Sequence, residues 1–243
     1  MEIKKVLQSL VLESTNCTEV INKLQKKVYP KNPERDFAEE MHTDAVITLL
    51  DENFPSVYKT VPLTPVVLGV SGDLNLIKDR SRKMFLSGYS FPRNLVEDFI
   101  KKENGIIICN LPMKRGSESE YSKALKLIEE VRSLGGRIIV ASNEPNFTLE
   151  GYDYLIIKEN FIGESFRRLG VSLCNIFVLG EKNYKSAKLE TNYALMIDCD
   201  IYAYPISVSS TAKTGSLNNN LIKEGAELLE SYQDLCRGPE VNV

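Results

Sequence analysis

The chain has 243 residues, of which 43% are apolar and 26% are charged, and its formal net charge is −3. These values are typical of a globular protein with one large domain, or with one large and one small domain, and they exclude a protein that is cationic throughout. No apolar run reaches the roughly 18 residues that span a bilayer, and the first residues lack a secretory signal pattern, so we expect a cytoplasmic protein.

The first part of the chain carries helical patterns. Residues 3–14 and 17–29 each place their apolar side chains along one stripe of a helix. Residues 33–54 begin with a proline and have acidic residues in the first turn, so we predict a third helix there. Prolines at 55, 62 and 65 then indicate an extended connection.

From Pro65 onward, short β-rich runs alternate with helical patterns. The predicted strands are PVVLGV, KMFLSGYS, GIIICN, GRIIVAS, YLIIK, NIFVLG and DIYAYP. The predicted helices between them include PRNLVEDFIKKEN, SESEYSKALKLIEEVRSLGG, GESFRRLGVSLC and AKLETNYALMIDC. This alternation is typical of a parallel sheet that is covered by helices on both faces. We therefore predict an α/β, Rossmann-like domain over residues 63–243, with a mostly parallel sheet flanked by helices, preceded by a small N-terminal helical cap over residues 1–62.

The closing segment, residues 214–235, reads TGSLNNNLIKEGAELLESYQDL. We interpret its three consecutive asparagines as a polar loop in which Asn218 or Asn219 caps the helix that follows. Leu221 and Leu228 would then lie on one face of that helix.

Ligands of parallel α/β sheets bind beyond the carboxyl ends of the strands, beside helix N-termini. Three predicted loops at that edge carry residues that suit a phosphate. The first holds Gly88, Ser90 and Arg93, the second holds Lys114 and Arg115, and the third holds Lys182, Lys185, Ser186 and Lys188. Ser117, which follows the second set, begins an SESE pattern that predicts a helix cap. A tight turn explains the first loop, and exposure to solvent explains the second and the third, at least as well as a ligand does.

Charge is distributed unevenly along the chain. Between residues 78 and 137, basic residues outnumber acidic residues by 13 to 8, whereas acidic residues dominate the remainder. A locally basic region on an acidic protein is a weak indication of a phosphate-bearing ligand, and solvated helix faces give the same pattern.

The side chains that usually carry catalysis or bind metals are sparse. His42 is the only histidine, which argues against a zinc site and against a Ser-His-Asp triad. The cysteines are Cys17, Cys109, Cys174, Cys199 and Cys236. They form no CxxC pair, so we interpret them as reduced thiols that mostly fill the core. We therefore expect a protein that is not an enzyme and has no catalytic residues, no metal and no cofactor.

Taken in order, several segments resemble the DNA-processing protein A family (DprA, also called Smf). YAYPISVSSTAKTGSLNNNLIKEGAELLESYQDL, residues 202–235, is similar to the pattern that closes the family's Rossmann-like domain. Further similar segments are FPSVYKTVPLTPVVLGVSGDLNLI, SLGGRIIVAS, SFRRLGVSLCNIFVLGE and YKSAKLETNYALMIDCDIYAYP. The resemblance covers residues 45–236.

The chain departs from the family where phosphate would be bound. The family's GSR motif is here Gly88-Tyr89-Ser90, and its KSG motif is Lys185-Ser186-Ala187. Asn110 replaces the first glycine of a second loop, and Arg168 matches one arginine of the family's RNR motif. The resemblance therefore implies a conserved fold with a degenerate phosphate-binding site.

Members of this family bind single-stranded DNA, help to load the RecA recombinase during DNA uptake and natural transformation, and usually form homodimers through the Rossmann-like domain. The resemblance implies the same partners here, with phosphate contacts that dominate affinity. The residues expected to bind nucleic acid or phosphate are Gly88, Ser90, Arg93, Lys114, Arg115, Arg168, Lys185, Ser186 and Lys188. Tyr89 and Tyr184 are candidates for stacking against bases.

Two alternatives remain open on the sequence alone. The first is a protein that binds or senses nucleotides on the related lysine-decarboxylase-like fold, although the PGGxGTxxE loop of the hydrolases with that fold is absent. The second is a degenerate scaffold that binds no ligand.

Overall fold

The computed structural model describes residues 3–59, 65–89, 91–151, 153–160, 164–206 and 213–236. The strands are β1 Ala45–Thr48, β2 Val67–Gly72, β3 Lys83–Ser87, β4 Ile106–Leu111, β5 Arg137–Ser142, β6 Tyr154–Lys158, β7 Ile176–Leu179, β8 Asp200–Ala203 and β9 Glu227–Leu228. The α-helices are α1 Ile3–Leu12, α2 Cys17–Gln25, α3 Phe37–Met41, α4 Asn75–Lys78, α5 Arg93–Glu103, α6 Glu118–Ser133, α7 Glu164–Val171, α8 Tyr184–Met196, α9 Lys213–Lys223 and α10 Tyr232–Cys236. A 3₁₀ turn spans Ser56–Lys59.

Within the described residues, nine strands form one sheet in the order β1-β2-β6-β5-β4-β3-β7-β8-β9. The β1–β2 and β2–β6 pairs are antiparallel, and the other pairs are parallel. This confirms the predicted α/β, Rossmann-like fold with a mostly parallel sheet. Strands β4 to β6 extend the sheet on one side of β3, and β7 to β9 extend it on the other. The strand order therefore reverses between β3 and β7, which is where such sheets open a crevice at their carboxyl edge.

Helices cover both faces of the sheet. Alternate residues of β3 enter opposite cores, with Phe85 on one face and Met84 and Leu86 on the other. Helices α7, α8 and α9 cover the Phe85 face, and α5, α6 and α10 cover the Met84 face. Most core residues of β3, β4, β5 and β7 are fully buried, as expected for strands that are covered on both faces.

The N-terminal residues form a third core cluster against the antiparallel end of the sheet. Leu7, Val20 and Phe37 are buried there together with Val67 of β2. The two predicted helices at the start of the chain are confirmed by α1 and α2, and Asn16 caps α2 by accepting a hydrogen bond from the Glu19 N–H.

The single helix predicted over residues 33–54 is wrong. Helix α3 ends at His42, whose left-handed backbone (φ 48°) terminates it, and β1 follows. The run Val46-Ile47-Thr48 is β-branched, which favours a strand, and pairing with β2 buries Ile47 opposite Leu68. Strand β1 therefore joins residues of the predicted helical cap to the main sheet.

The predicted asparagine loop is also wrong, because Asn218, Asn219 and Asn220 lie inside α9. Asn218 is fully buried, and its Nδ2 donates to the carbonyl oxygens of Leu179 and Tyr204, each at 3.0 Å. It thereby joins α9 to the carboxyl ends of β7 and β8. Leu228, expected on the same helix, lies instead in β9.

Candidate functional site

The crevice between the ends of β3 and β7, called the tip crevice below, is filled by a carboxylate of the protein itself. Glu190 of α8 is fully buried there. Both of its oxygens accept from Lys182 Nζ at 2.7 Å, and Oε2 also accepts from Ser87 Oγ at 2.6 Å. Asn110 Nδ2 donates to Oε1 at 3.0 Å, and Nη1 of Arg167 lies 3.7 Å from the same oxygen.

This network satisfies a buried charge on all sides. A carboxylate in the interior needs both a cation and hydrogen-bond donors to offset its desolvation, and Glu190 has both. Lys182, which the sequence places in a loop that suits a phosphate, is itself only 6% exposed and is paired with Glu190. The position where related folds hold a ligand phosphate is therefore occupied by an internal anion.

Glycines allow the surrounding segments to approach one another. Gly88 has a φ of +150°, and a Cβ there would lie 3.1 Å from the carbonyl oxygen of Glu181. A Cβ at Gly170 of α7 would lie 2.8 Å from Asn110 Oδ1. The backbone space beside Gly88 is thus taken by the β7–α8 loop.

Tyr89 packs beside the same ion pair. Its ring lies under Lys182 Nζ, which is 5.5 Å from the ring centroid, a distance that allows a cation–π contact. Burial raises the pKa of the Tyr89 hydroxyl, and the charges of Glu120 and Glu190 raise it further. Tyr89 therefore stays neutral and contributes to the packing of the tip crevice.

An open groove lies next to the tip crevice, between the starts of α6 and α8, and we call it the α6–α8 groove. Its volume is about 480 Å³. Its lining residues are Gly116, Ser117, Glu120, Arg167, Asn183, Lys185, Ser186 and Leu189. Ser117 caps α6 by accepting from the Glu120 N–H, as its SESE pattern predicts, and Asn183 caps α8 by accepting from the Lys185 N–H. Two helix starts with their partial positive charge therefore flank the groove.

The structure brings some of the predicted site residues to this groove. Lys185 and Ser186 line it, while Lys114 and Arg115 directly precede its Gly116 and are exposed. Three further predicted residues lie on neighbouring elements, with Gly88 at the end of β3, Arg93 exposed at the start of α5 and Lys188 exposed on α8. Ser90 lies outside the described residues.

Arg168 lies elsewhere. It is 4% exposed, and its guanidinium carbon is 5.7 Å from the centroid of the Tyr193 ring. The neighbouring Arg167 is the arginine that lines the groove and approaches Glu190. Of the two arginines in GESFRRLG, the one that the family resemblance selected is therefore buried.

Acidic groups lie among the groove's cations. Glu120 lines the groove, Glu118 lies 3.9 Å from the Lys114 ammonium, and a Glu144 carboxylate oxygen accepts from the Lys114 backbone N–H at 2.9 Å. The positive field of the groove consequently depends on Arg167, Lys185 and the Lys114-Arg115 pair acting together.

A second pair of buried ionisable groups lies at the end of β6. Burial lowers the pKa of Lys158 to about 8, and its Nζ donates to the Pro145 carbonyl at 2.8 Å. Burial raises the pKa of Glu159 to about 7, although a hydrogen bond from Cys17 Sγ opposes the shift. Glu159 Oε2 accepts no hydrogen bond in the part of the chain that the structure describes. The Glu159 carboxylate is therefore far less well compensated than that of Glu190.

The residues that sequence reasoning missed are Asn110, Arg167, Lys182 and Glu190 as a connected group. Asn110 offered one signal, because it is a polar residue near the end of the otherwise apolar strand IIICNL. Glu190 offered none, since α8 buries a stripe of small and polar residues that hydrophobic periodicity does not reveal.

The residues that the structure describes contain neither a metal cluster nor a membrane span. No cluster of three His, Cys, Asp or Glu side chains is arranged to hold a metal ion within these ranges. Among the helices described, none is both long and apolar enough to cross a bilayer.

No model of a known protein family matches the chain, and no curated protein matches it in sequence. Solved structures do match. DNA processing protein A (DprA) from Streptococcus pneumoniae superposes with a TM-score of 0.66 at 17% identity, over 97% of this chain and 96% of that one. DprA from Helicobacter pylori, described as having a distinct single-stranded DNA binding mode, superposes with a TM-score of 0.58 at 15% identity, over 81% of this chain and 95% of that one. The chain therefore has the DprA fold along almost its whole length.

Proposed function

We propose that the chain is a divergent DprA-family protein that binds single-stranded DNA and acts as a recombination mediator rather than as an enzyme. The observation that carries this proposal is the shared fold, which extends over nearly the full length of both this chain and the pneumococcal protein. The natural setting of such a role is the cytoplasm during DNA uptake, with RecA as the protein partner and a homodimer as the working form.

The α6–α8 groove is the proposed contact surface for the DNA backbone. Arg167 and Lys185 supply positive charge, the Ser186 and Ser117 side chains line the same space, and Lys114 and Arg115 extend it along the surface. Phosphates bind outside the tip crevice, because Glu190 and Lys182 already neutralise each other within it. Backbone contacts of this kind give binding with little sequence preference and strong salt dependence.

Binding of labelled oligo-dT, followed by fluorescence anisotropy over a salt series, tests the proposal. We expect saturable binding at low salt, and for Lys114→Glu/Arg115→Glu a lower affinity with a salt slope shallower by about 1.4, since each lost single-strand contact removes roughly 0.7.

The matched control is Lys101→Glu/Lys102→Glu, which makes the same charge change. These lysines lie at the far end of α5 and pair with Glu97 and Asp98, so their reversal should leave binding close to that of the native chain. Absence of saturable binding would refute the DNA-binding role, and equal losses in both double variants would refute the α6–α8 groove as the contact surface. The oligonucleotide should stay intact during incubation with Mg²⁺, and cleavage would refute the non-enzymatic assignment.

The RecA and homodimer assignments need their own measurements. We expect the chain to speed RecA assembly on single-stranded DNA and to sediment as a dimer at micromolar concentration. Unchanged RecA assembly or a monomer at all concentrations would separate a simple DNA-binding protein from a recombination mediator.

A nucleotide is the second candidate ligand, because the groove volume of about 480 Å³ falls in the range of small-molecule sites. A ligand that binds only the folded state raises the melting temperature. A thermal-shift series with mono- and dinucleotides therefore distinguishes a nucleotide ligand from single-stranded DNA. Stabilisation by a nucleotide without binding of oligo-dT would favour a protein that binds or senses nucleotides. Absence of binding to both nucleotides and oligo-dT would favour a degenerate scaffold that binds no ligand.

A further inference from the structure

Two cysteines face each other at the edge of the sheet opposite the tip crevice. Cys174 lies in the connection between α7 and β7, and Cys199 in the connection between α8 and β8. Strands β7 and β8 are parallel neighbours with Ile176 opposite Asp200, so both connections lie at the same amino edge. The two Sγ atoms are 3.4 Å apart, and both thiols are free.

The two thiols differ in their access to solvent. Cys174 is only 7% exposed, whereas Cys199 is half-buried and lines an open groove of about 370 Å³ between α8 and α9. Burial raises the pKa of Cys174 well above its usual value, and the neighbouring Cys199 sulfur raises it further. Cys199 Sγ also lies 3.2 Å from the Cys174 carbonyl oxygen. A small oxidant therefore reaches Cys199 first, while Cys174 stays protonated beside it.

We propose that Cys174 and Cys199 form a redox-sensitive pair that a peroxide converts into an intramolecular disulfide. The Cys199 thiolate attacks one peroxide oxygen, the O–O bond breaks, and the products are Cys199 sulfenic acid and, after protonation, one water. Cys174 Sγ then attacks Cys199 Sγ, so that the S–S bond forms and the S–O bond breaks. The hydroxide leaves with the Cys174 proton as a second water. Two thiols and one peroxide thus give one disulfide and two waters.

Little movement is needed for the second step. The sulfur atoms must close from 3.4 Å to a bond of about 2.05 Å. Both residues lie just before adjacent strands and are offset by one residue in register. A strand spacing of about 4.8 Å and a rise of about 3.3 Å per residue place their Cα atoms roughly 5.8 Å apart, which suits disulfide geometry.

The disulfide would enclose a functionally central part of the chain. The 25-residue separation between the two cysteines contains β7, the Lys182 loop and α8. Oxidation therefore ties together the base of the segment that carries Lys185, Ser186 and Glu190 at the opposite edge. The pair itself lies away from that edge, so its chemistry does not depend on what the α6–α8 groove binds.

Peptide mapping of the peroxide-treated native chain under non-reducing conditions tests the proposal. Trypsin should release one cross-linked species joining residues 169–182 to residues 189–213, lighter than the sum of the two free peptides by two hydrogens, and dithiothreitol should separate it. We also expect the oxidised chain to melt at a higher temperature than the reduced chain, because a cross-link restricts the unfolded state.

Three serine variants test the role of each cysteine in the cross-link. In Cys174→Ser, the cross-link should be lost and Cys199 should accumulate as a sulfenic acid that dimedone labels. In Cys199→Ser, both the cross-link and the labelling of this site should be lost. Cys236→Ser removes an exposed thiol elsewhere and should leave the cross-link unchanged.

Two results would overturn the proposal. One is direct over-oxidation of Cys199 to sulfinic acid without any cross-linked peptide from the native chain. The other is an intermolecular disulfide through Cys236 as the main product. Both are read from the native chain, so they remain decisive even if a serine variant fails to fold.

Discussion

The tip crevice and the α6–α8 groove lie side by side and are built from the same kinds of residue, yet they differ in what neutralises their cations. In the crevice, Lys182 is buried against Glu190, with Ser87 and Asn110 completing the network. In the groove, Lys185 is exposed to solvent only three residues further along the chain. A lysine at a strand tip therefore indicates an external anion only where the protein does not supply an anion of its own.

Arg167 connects the two regions, since it lines the groove and also lies 3.7 Å from Glu190. The internal carboxylate thus takes part of the positive charge that an external phosphate would meet. This sharing offers a physical reason why a chain with the DprA fold can lack most of the glycines that the sequence resemblance implies for a phosphate site. A filled crevice has no need of glycines that let a phosphate approach the backbone.

The largest effect is expected from removing the Glu190 carboxylate from the tip crevice. Glu190→Ala leaves Lys182 buried without its partner, so we expect the free energy of unfolding, measured by urea titration, to fall by about 3–5 kcal/mol. Lys188→Ala changes an exposed lysine on the same helix and should stay within about 0.5 kcal/mol of the native chain.

The double variant Lys182→Met/Glu190→Leu should be much less destabilised than Glu190→Ala, because neither charge remains buried alone. If Glu190→Ala costs no more than Lys188→Ala, the crevice is hydrated and the contrast between the two regions disappears.

Glu159 provides a contrast with Glu190, since it is a buried carboxylate whose charge is poorly compensated by its surroundings. Its pKa is raised to about 7 in the folded chain against 4.5 for the ordinary group, so the folded state holds this proton more tightly than the unfolded state. Stability should therefore fall as pH rises from 4.5 to 7 and then level off, by an amount on the order of 3 kcal/mol at about 1.4 kcal/mol per pKa unit.

Urea unfolding across this pH window should show the fall in the native chain and a flatter profile in Glu159→Gln. Taking the difference between the two proteins cancels the contributions of all other titrating groups. Parallel profiles would mean that folding does not shift the pKa of Glu159.

A smaller effect is expected at Asn218, which joins α9 to the strand ends beside the crevice. Asn218→Ala removes donors from the buried carbonyl of Leu179 and the partly buried carbonyl of Tyr204, and we expect a loss of about 1–3 kcal/mol in urea unfolding. Asn220→Ala, at an exposed position of the same helix, is the control. Equal stability of the two variants would show that solvent replaces the Asn218 bonds.

The smallest effect is expected in the open α6–α8 groove. Lys185→Gln removes one exposed cation from the α6–α8 groove, and we expect affinity for oligo-dT to fall about fivefold, roughly 1 kcal/mol, with unchanged stability. Lys101→Gln on the distant end of α5 should change affinity by less than this. Matching losses would indicate that binding follows net charge rather than this groove.

The fold was largely accessible from the sequence because dense β-branched runs such as IIICNL and RIIVAS can only be buried strands in this context. Strand β1 was missed because its short run follows an acidic helical pattern, and only pairing with β2 shows that it is a strand. The asparagines of α9 were missed for a related reason. Their typical preference for caps and loops is overridden by the carbonyl groups that Asn218 reaches across the fold.

The site was less accessible than the fold. Sequence reasoning identified the segments beyond the strand ends that carry Lys114, Lys185 and Ser186, because strand ends can be located from the pattern alone. It placed Lys185 and Ser186 in a loop, whereas they lie in the first turn of α8. It could not assign Lys182 to the interior and Lys185 to the surface, since that depends on the position of Glu190 eight residues beyond Lys182. Which cations face a ligand is decided by partners that only the folded chain brings together.

The sheet order has a consequence for synthesis on the ribosome. Strand β2 is made early, yet its second neighbour is β6, which ends at Lys158, and the central strand β3 waits for β7, which ends at Leu179. Pairings across such sequence distances close slowly, because loop entropy must be overcome before they form. The emerging chain therefore leaves the edge of β3 that faces β7 unpaired until Leu179 has been translated, which makes this interval the one in which a chaperone would matter most.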